Sequence, residues 1–287
     1  MKFLLLVISF LFHLGSNAQV VPFTSPDPIP DKPGYKLVWA DEFSQEGVPD
    51  HRFWSFEHGF QRNRELQWYQ TENARVAEGY LIIEGRRERV RNPAFAKGSK
   101  DWKESRSHAT YTSSSINTNG KFSFQYGMME VRAKIDTAKG LWPAIWTLGI
   151  AGAWPANGEI DVMEYYLSDG QPTILANTAW AHAEKRASWD EAKLPFADLL
   201  AKDPKWSEKF HIWKLDWTES YIRIYLDELL LNEVDLQQTV NPDGTNPFHQ
   251  PHYILLNLAI GSNGGDPTDS TFPSHYVVDY VRVYQRK

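Results

Sequence analysis

Gly158-Glu159-Ile160-Asp161-Val162-Met163-Glu164-Tyr165-Tyr166 places three carboxylates within six residues of an otherwise apolar, strand-like run. Side chains alternate faces along a strand, so Glu159 and Asp161 share a face while Glu164, at an odd offset, points to the other. One extra residue near Val162-Met163 would turn Glu164 back, and β-bulges that re-aim a side chain are over-represented beside active sites. The expected element is a bulged strand with an acidic triad on one face and Ile160 and Val162 directed into a core on the other.

With such a bulge, Glu159 and Glu164 lie roughly four strand steps apart, about 13 Å, and two Glu side chains leaning inward close the carboxyl gap to about 5 to 7 Å. That span suits glycosidases, whose carboxyl pairs stand about 5 to 5.5 Å apart in retaining enzymes and about 6.5 to 9.5 Å apart in inverting ones. Three close acids repel one another, which raises at least one pKa and supplies a proton donor near neutral pH. A solvated acidic strand face or a divalent-metal site is the competing reading, but the flanking residues are apolar and the Gly-turn pattern of hard-cation loops is missing. The nine histidines show no zinc-ligand spacing.

The chain of 287 residues, 42% hydrophobic, is read as one large β domain. Residues 1–18 have the form of a signal peptide: Lys2, an apolar stretch from Phe3 to Leu14, then Ser16-Asn17-Ala18 as a small-residue cleavage site. The apolar stretch is too short for a membrane span, which needs about 20 residues. Export to the periplasm or the medium is expected, without disulfides, since the chain holds no cysteine. Loss of Lys2 takes the formal charge from −6 to −7, a mildly acidic balance that argues against a nucleic-acid partner. Aromatics stand out at 12 Trp, 13 Tyr and 15 Phe. Trp and Tyr faces suit the apolar C–H faces of sugar rings, so the acids and aromatics together point to a carbohydrate cleft.

Residues 19–34 form a Pro-rich lead-in, and the catalytic β-sandwich domain is placed at 35–287. Eleven strands are expected, among them Met128–Ile135, Trp142–Leu148, Glu159–Tyr165, Ile174–Trp180, His211–Trp217 and Tyr253–Ile260, with one short helix at Phe196–Lys202. The fold class is therefore all-β: a curved, two-sheet antiparallel sandwich.

The run Glu159–Glu164 resembles the signature of the bulged branch of glycoside hydrolase family 16, laminarinase-like endo-β-glycanases with a legume-lectin-like (concanavalin-like) jelly roll. Gly140–Gly149 (GLWPAIWTLG), Lys209–Asp227, PHYILLNLAIGSNGG and VVDYVRVYQ resemble further strands of that family. The resemblance implies that Glu159 is the nucleophile, Glu164 the acid/base, and Asp161 the residue that hydrogen-bonds Glu159 and sets the charge balance. It implies sugar contacts from Trp142, Trp146, Arg64 and Asn257, no cofactor for catalysis, and a structural calcium held by Glu42, Asp279 and the carbonyl of Gly79. A stand-alone monomer acting on a polysaccharide is expected.

The default substrate is β-1,3- or mixed β-1,3-1,4-glucan, as in laminarin and lichenan. The chain departs from the laminarinase pattern at Ile174–Lys193, where Trp180 and Trp189 bracket a polar loop with His182, Lys185 and Arg186. That loop is expected to rim the cleft, with Trp180 as a sugar contact. An endo-β-galactosidase acting on agar- or porphyran-type galactan or on poly-N-acetyllactosamine is the alternative, with Arg62 and Arg64 available to offset sulfate. A non-catalytic glycan-binding module on the same sandwich is the reading from another class, and the triad argues against it. A transglycosylase would share the covalent intermediate, but the plant-type enzymes resemble the branch that lacks the extra residue.

Overall fold

The computed structural model describes residues 29, 31–183 and 186–287. The expected signal peptide at 1–18, most of the lead-in, and Lys185 lie outside the described residues. Two antiparallel sheets stack face to face. One runs in the order Leu229–Asp235, Tyr221–Leu226, His211–Trp217, Gly127–Lys134, Ser274–Arg286, Tyr80–Gly85, Ala74–Ala77, with Tyr35–Asp41 also paired to Ser274–Arg286. The other runs Ala187–Pro195, Gln171–Ala181, Glu159–Ser168, Leu141–Gly149, His252–Ile260, Ser115–Asn117, Ser55–Phe56. This is the expected jelly-roll sandwich.

Alternation builds the core. Met129, Val131 and Ala133 face inward from the first sheet, and Ile145, Ile160 and Val162 meet them from the second, all essentially inaccessible to water. Each large aliphatic side chain so buried contributes about 1.5–3 kcal/mol. On the opposite face of the same strand Glu130 is buried and accepts a hydrogen bond from the Lys32 ammonium. The helix forms at Phe196–Lys202 as expected, with Phe196 and Leu199 packed inward. Among the described residues, no helix is long and apolar enough to cross a membrane.

The stretch around Trp180 and Trp189 differs from expectation. Ala187–Pro195 is an edge strand paired along its length with Gln171–Ala181. Pairing fixes parity: Ala179 lies opposite Glu159 and Asn177 opposite Asp161, so these share the triad's face. Trp180, one residue on, turns to the other face and packs against the inter-sheet core. The expectation that Trp180 contacts sugar is therefore corrected.

Candidate active site

The bulge sits where the chemistry needs it. Between Asp161 and Glu164 the register against Gln171–Ala181 advances from Asn177 to Leu175, so three steps on one strand match two on the other. On the opposite side Trp146 pairs with Asp161 and Ile145 with Met163, skipping Val162. Val162 and Met163 are both fully buried in the core, and Glu164 returns to the face of Glu159 and Asp161. Gly158 sets the approach to this strand. Its φ of +76° and the 2.8 Å that a Cβ would leave to Pro247 restrict the position to glycine.

Neighbouring strands add the rest of the face in register. Ala144 lies opposite Glu164 and Asn257 opposite Ala144; Leu148 lies opposite Glu159, and Tyr253 opposite Leu148. Ala144, Trp146 and Leu255 form a small apolar cluster of their own, separate from the main core. The resulting cleft, about 460 Å³, is lined by Arg62, Glu65, Trp142, Trp146, Trp154 and Asn257 beside Glu159 and Glu164, and by Tyr166, Trp189 and Glu191 toward the edge strand. Indoles flanking carboxylates make a site that binds flat apolar faces and moves protons.

Each acid has its own surroundings. Glu164 accepts from Trp142 Nε1 at 2.8 Å and from Asn177 Nδ2 at 3.3 Å. Burial and the repulsion of Glu159 outweigh those bonds and push its pKa up to about 8. Asp161 is 1% exposed, and burial, then the charges of Glu164 and Glu159, drive its pKa well above the usual range. The neighbouring Asp161 and Glu159 carboxyls act on each other in opposite senses, Glu159 raising Asp161 and Asp161 lowering Glu159. Burial also raises Glu159, against the Asp161 bond, a bond from Trp154 Nε1 at 2.5 Å and the charge of Arg62. Glu159 is thus the acid best supplied with donors to its charged form, and Glu164 the one that holds its proton near neutral pH.

The other expected contacts divide. Trp142 and Trp146 line the cleft. Asn257 also lines it, but its amide is engaged: Oδ1 accepts from Trp146 Nε1 at 2.7 Å and Nδ2 donates to the Tyr69 hydroxyl at 3.2 Å. Asn257 therefore holds the Trp146 indole. Arg64 is displaced from the cleft. Asn63 and Arg64 both adopt positive φ, 55° and 53°, and that turn leaves the Arg64 side chain exposed while its carbonyl accepts from Arg106. Arg62, and not Arg64, lines the cleft, with its guanidinium 5.1 Å from the Trp146 ring and paired to Glu57.

Trp154, equally readable from sequence as a loop anchor, and Trp189, expected only to bracket a rim loop, both line the cleft, together with Glu191 and Tyr166, which were not singled out from sequence. Trp154 and Trp189 are 52% and 44% exposed with ring centroids 6.5 Å apart. The alternation of Trp189, Glu191 and Lys193 in ASWDEAKLP was the available signal. Of the carboxylates expected to hold calcium, both Glu42 oxygens accept from Arg282, at 2.8 and 2.7 Å, and Asp279 is paired with Arg132. Among the described residues no group of three His, Cys, Asp or Glu is arranged to hold a metal ion.

A jelly roll with an aromatic cleft and a bulged acid triad defines a carbohydrate-cleaving sandwich. The sequence profile of glycosyl hydrolases family 16 matches residues 68–282. The chain belongs to that family and is a glycoside hydrolase. It is similar to a β-glucanase of Rhodothermus marinus, 35% identical over 277 residues covering 88% of this chain and 86% of that one. Among solved structures, the laminarinase catalytic domain of Thermotoga maritima superposes with TM-score 0.72 at 32% identity, covering 88% of this chain and 99% of that one. A structure from work on endo-acting O-glycanases of the human gut microbiota that initiate mucin breakdown gives TM-score 0.80 at 33% identity, covering 92% and 94%.

Proposed function

We propose that this protein is an exported, retaining endo-β-glucanase that hydrolyses internal linkages of β-1,3- or mixed β-1,3-1,4-glucan. The observation that carries the reading is the bulge between Asp161 and Glu164, which places an acid with raised pKa on the same face as one held by donors. The β-glucanase and laminarinase relatives supply the substrate class.

In the first step a Glu159 oxygen attacks the anomeric carbon as the glycosidic C–O bond breaks, and the proton on Glu164 passes to the leaving oxygen. Positive charge developing at the sugar ring draws the Glu159 carboxylate. Asp161, protonated, donates to the other Glu159 oxygen and keeps a second buried negative charge out of the site. The leaving sugar carries away the proton, so Glu164 is left ionised. It then takes a proton from water, the water oxygen attacks the anomeric carbon, and the ester to Glu159 breaks with net retention. The approach of Trp142 Nε1 to Glu164 steadies the carboxylate between the two steps.

Trp154 and Trp189 extend the cleft beyond Glu159 toward the edge strand, which suits an enzyme that holds sugars on both sides of the broken bond. A second reading, cleavage of galactose linkages in a host-type O-glycan, is favoured by the TM-score of 0.80 with the mucin-degrading relative. Product profiling by mass spectrometry on laminarin, lichenan, agarose and a poly-N-acetyllactosamine glycan separates them, with Glu159→Gln as control. Oligomers from laminarin or lichenan, absent in the variant, establish the glucanase. Oligomers from the galactose polymers alone replace it with the second reading.

A further inference from the structure

Residues 86–108 carry eight Lys/Arg and three Asp/Glu, a net of +5 in a chain of formal charge −6, leaving −11 on the remainder. The segment is folded. Val90–Arg91 pairs with His108–Ala109, and Asn92 Nδ2 donates to the carbonyls of Lys103 at 2.7 Å and Arg106 at 2.8 Å. Arg106 fastens this hairpin to the cleft rim: its guanidinium lies 5.1 Å from the Phe60 ring and 5.3 Å from Trp102, and donates to the carbonyls of Arg64 and Glu65. The adjoining Arg62, Asn63 and Glu65 line the cleft.

Arg89, Arg91, Lys97 and Lys100 are exposed, and among the described residues none pairs with a carboxylate. Arg89 instead meets the His108 ring at 3.3 Å. Arg64, also exposed, adds its charge beside Arg106, whose pKa is lowered first by burial and then by that neighbour. Cations in excess over the three acids of the segment, four of them in no ion pair among the described residues, produce a local positive field that attracts anions.

We propose that this basic hairpin is a second binding site, for an anionic polysaccharide bearing sulfate or carboxylate groups, adjoining the Arg62–Glu65 end of the cleft. The site goes beyond the hydrolytic reading and does not require it. Arg guanidinia present planar donor forks matched to both oxyanions. A duplex nucleic acid or a bilayer is wide enough to overlap the acidic remainder of the surface, whereas a single glycan strand follows the hairpin alone. Its place at the cleft rim would keep the enzyme on a matrix in which neutral and charged polymers are mixed.

Affinity electrophoresis and calorimetry with dextran sulfate, polygalacturonate, neutral dextran and duplex DNA test this. Expected are binding to dextran sulfate or polygalacturonate, none to neutral dextran, and a Kd that weakens roughly tenfold between 50 and 300 mM salt as screening shortens the field. The two anionic polymers distinguish sulfate from carboxylate as the group read. Arg89→Glu/Arg91→Glu should weaken Kd at least about tenfold with unchanged hydrolysis of short neutral oligosaccharides. Lys97→Glu/Lys100→Glu, in the loop away from the paired strands, should do the same if the hairpin variant fails to fold. Absence of binding to either anionic polymer, binding unchanged in both folded variants, or tighter binding to duplex DNA would overturn the proposal.

Discussion

Glu164→Gln should stabilise the protein at pH 8 while abolishing its activity. Glu164 in the folded state has its pKa raised from 4.5 to about 8. A raised carboxyl pKa means that the folded chain holds a proton the unfolded chain has released. The favourable contribution is complete below about 4.5 and is lost as pH rises through about 8. At about 1.4 kcal/mol per unit, the full shift corresponds to about 5 kcal/mol. Glu164 keeps some exposure to the cleft and shares its titration with Asp161 and Glu159, which brings the expected effect to about 3 kcal/mol. Gln carries no titrating group, so it matches protonated Glu164 at pH 4.5 and avoids the buried charge at pH 8. For a chain of this size, about 3 kcal/mol is a rise of about 6–10 °C in Tm. Melts followed by circular dichroism at pH 4.5, 6 and 8 should show wild type and variant together at the first and diverging toward the last. A variant that melts with or below wild type at pH 8 refutes the buried-proton account.

Glu159→Gln should lower turnover on the order of 10²–10⁴-fold, with Asp161→Asn losing far less, checked by initial rates on the polymer that wild type cleaves. The alkaline limb of kcat/KM should fall near pH 8, where Glu164 loses its proton, and Trp142→Phe should move that limb upward by removing a donor to the ionised form. Trp189→Ala should raise KM for polymer about tenfold and leave an activated aryl glycoside unaffected, while Trp180→Ala should cost about 2–4 kcal/mol of stability at nearly unchanged KM. Because Arg282 and Arg132 neutralise Glu42 and Asp279, EDTA should leave Tm within about 1 °C; a fall of several degrees would restore the calcium expectation.

Strands whose two faces meet different surroundings were readable because alternation records burial, and His211–Trp217 was located to the residue. The triad's bulge was readable for the same reason: three acids make one wet face only if a residue is inserted. Ala187–Pro195 was missed because an edge strand exposed on much of both faces has weak contrast, here Ala, Ser, Asp, Glu and Lys among two large apolar residues. Arg64 was misplaced because two successive non-glycine residues at positive φ leave no sequence mark. Trp180 was different. Once Gln171–Ala181 is paired with the acid strand, its odd offset from Asn177 puts it inside, so the parity was available and only the register was lacking.

The division between legible and illegible follows the distribution of constraint within the site. Glu159, Asp161 and Glu164 sit on a central strand flanked on both sides, where shifting the register by one residue would bury carboxylates in the core and expose Ile160 and Met163. The sequence there answers to packing and chemistry together and is correspondingly explicit. Trp189, Trp154 and the turn at Asn63-Arg64 lie on an edge strand and in loops, where a change disturbs few neighbours. Edge strand and turn can therefore alter which polymer fits while the central strand continues to cut it. This is why the reaction class follows from Glu159–Glu164 alone, whereas the choice between glucose and galactose polymers must be sought in Trp189, Glu191 and Arg62.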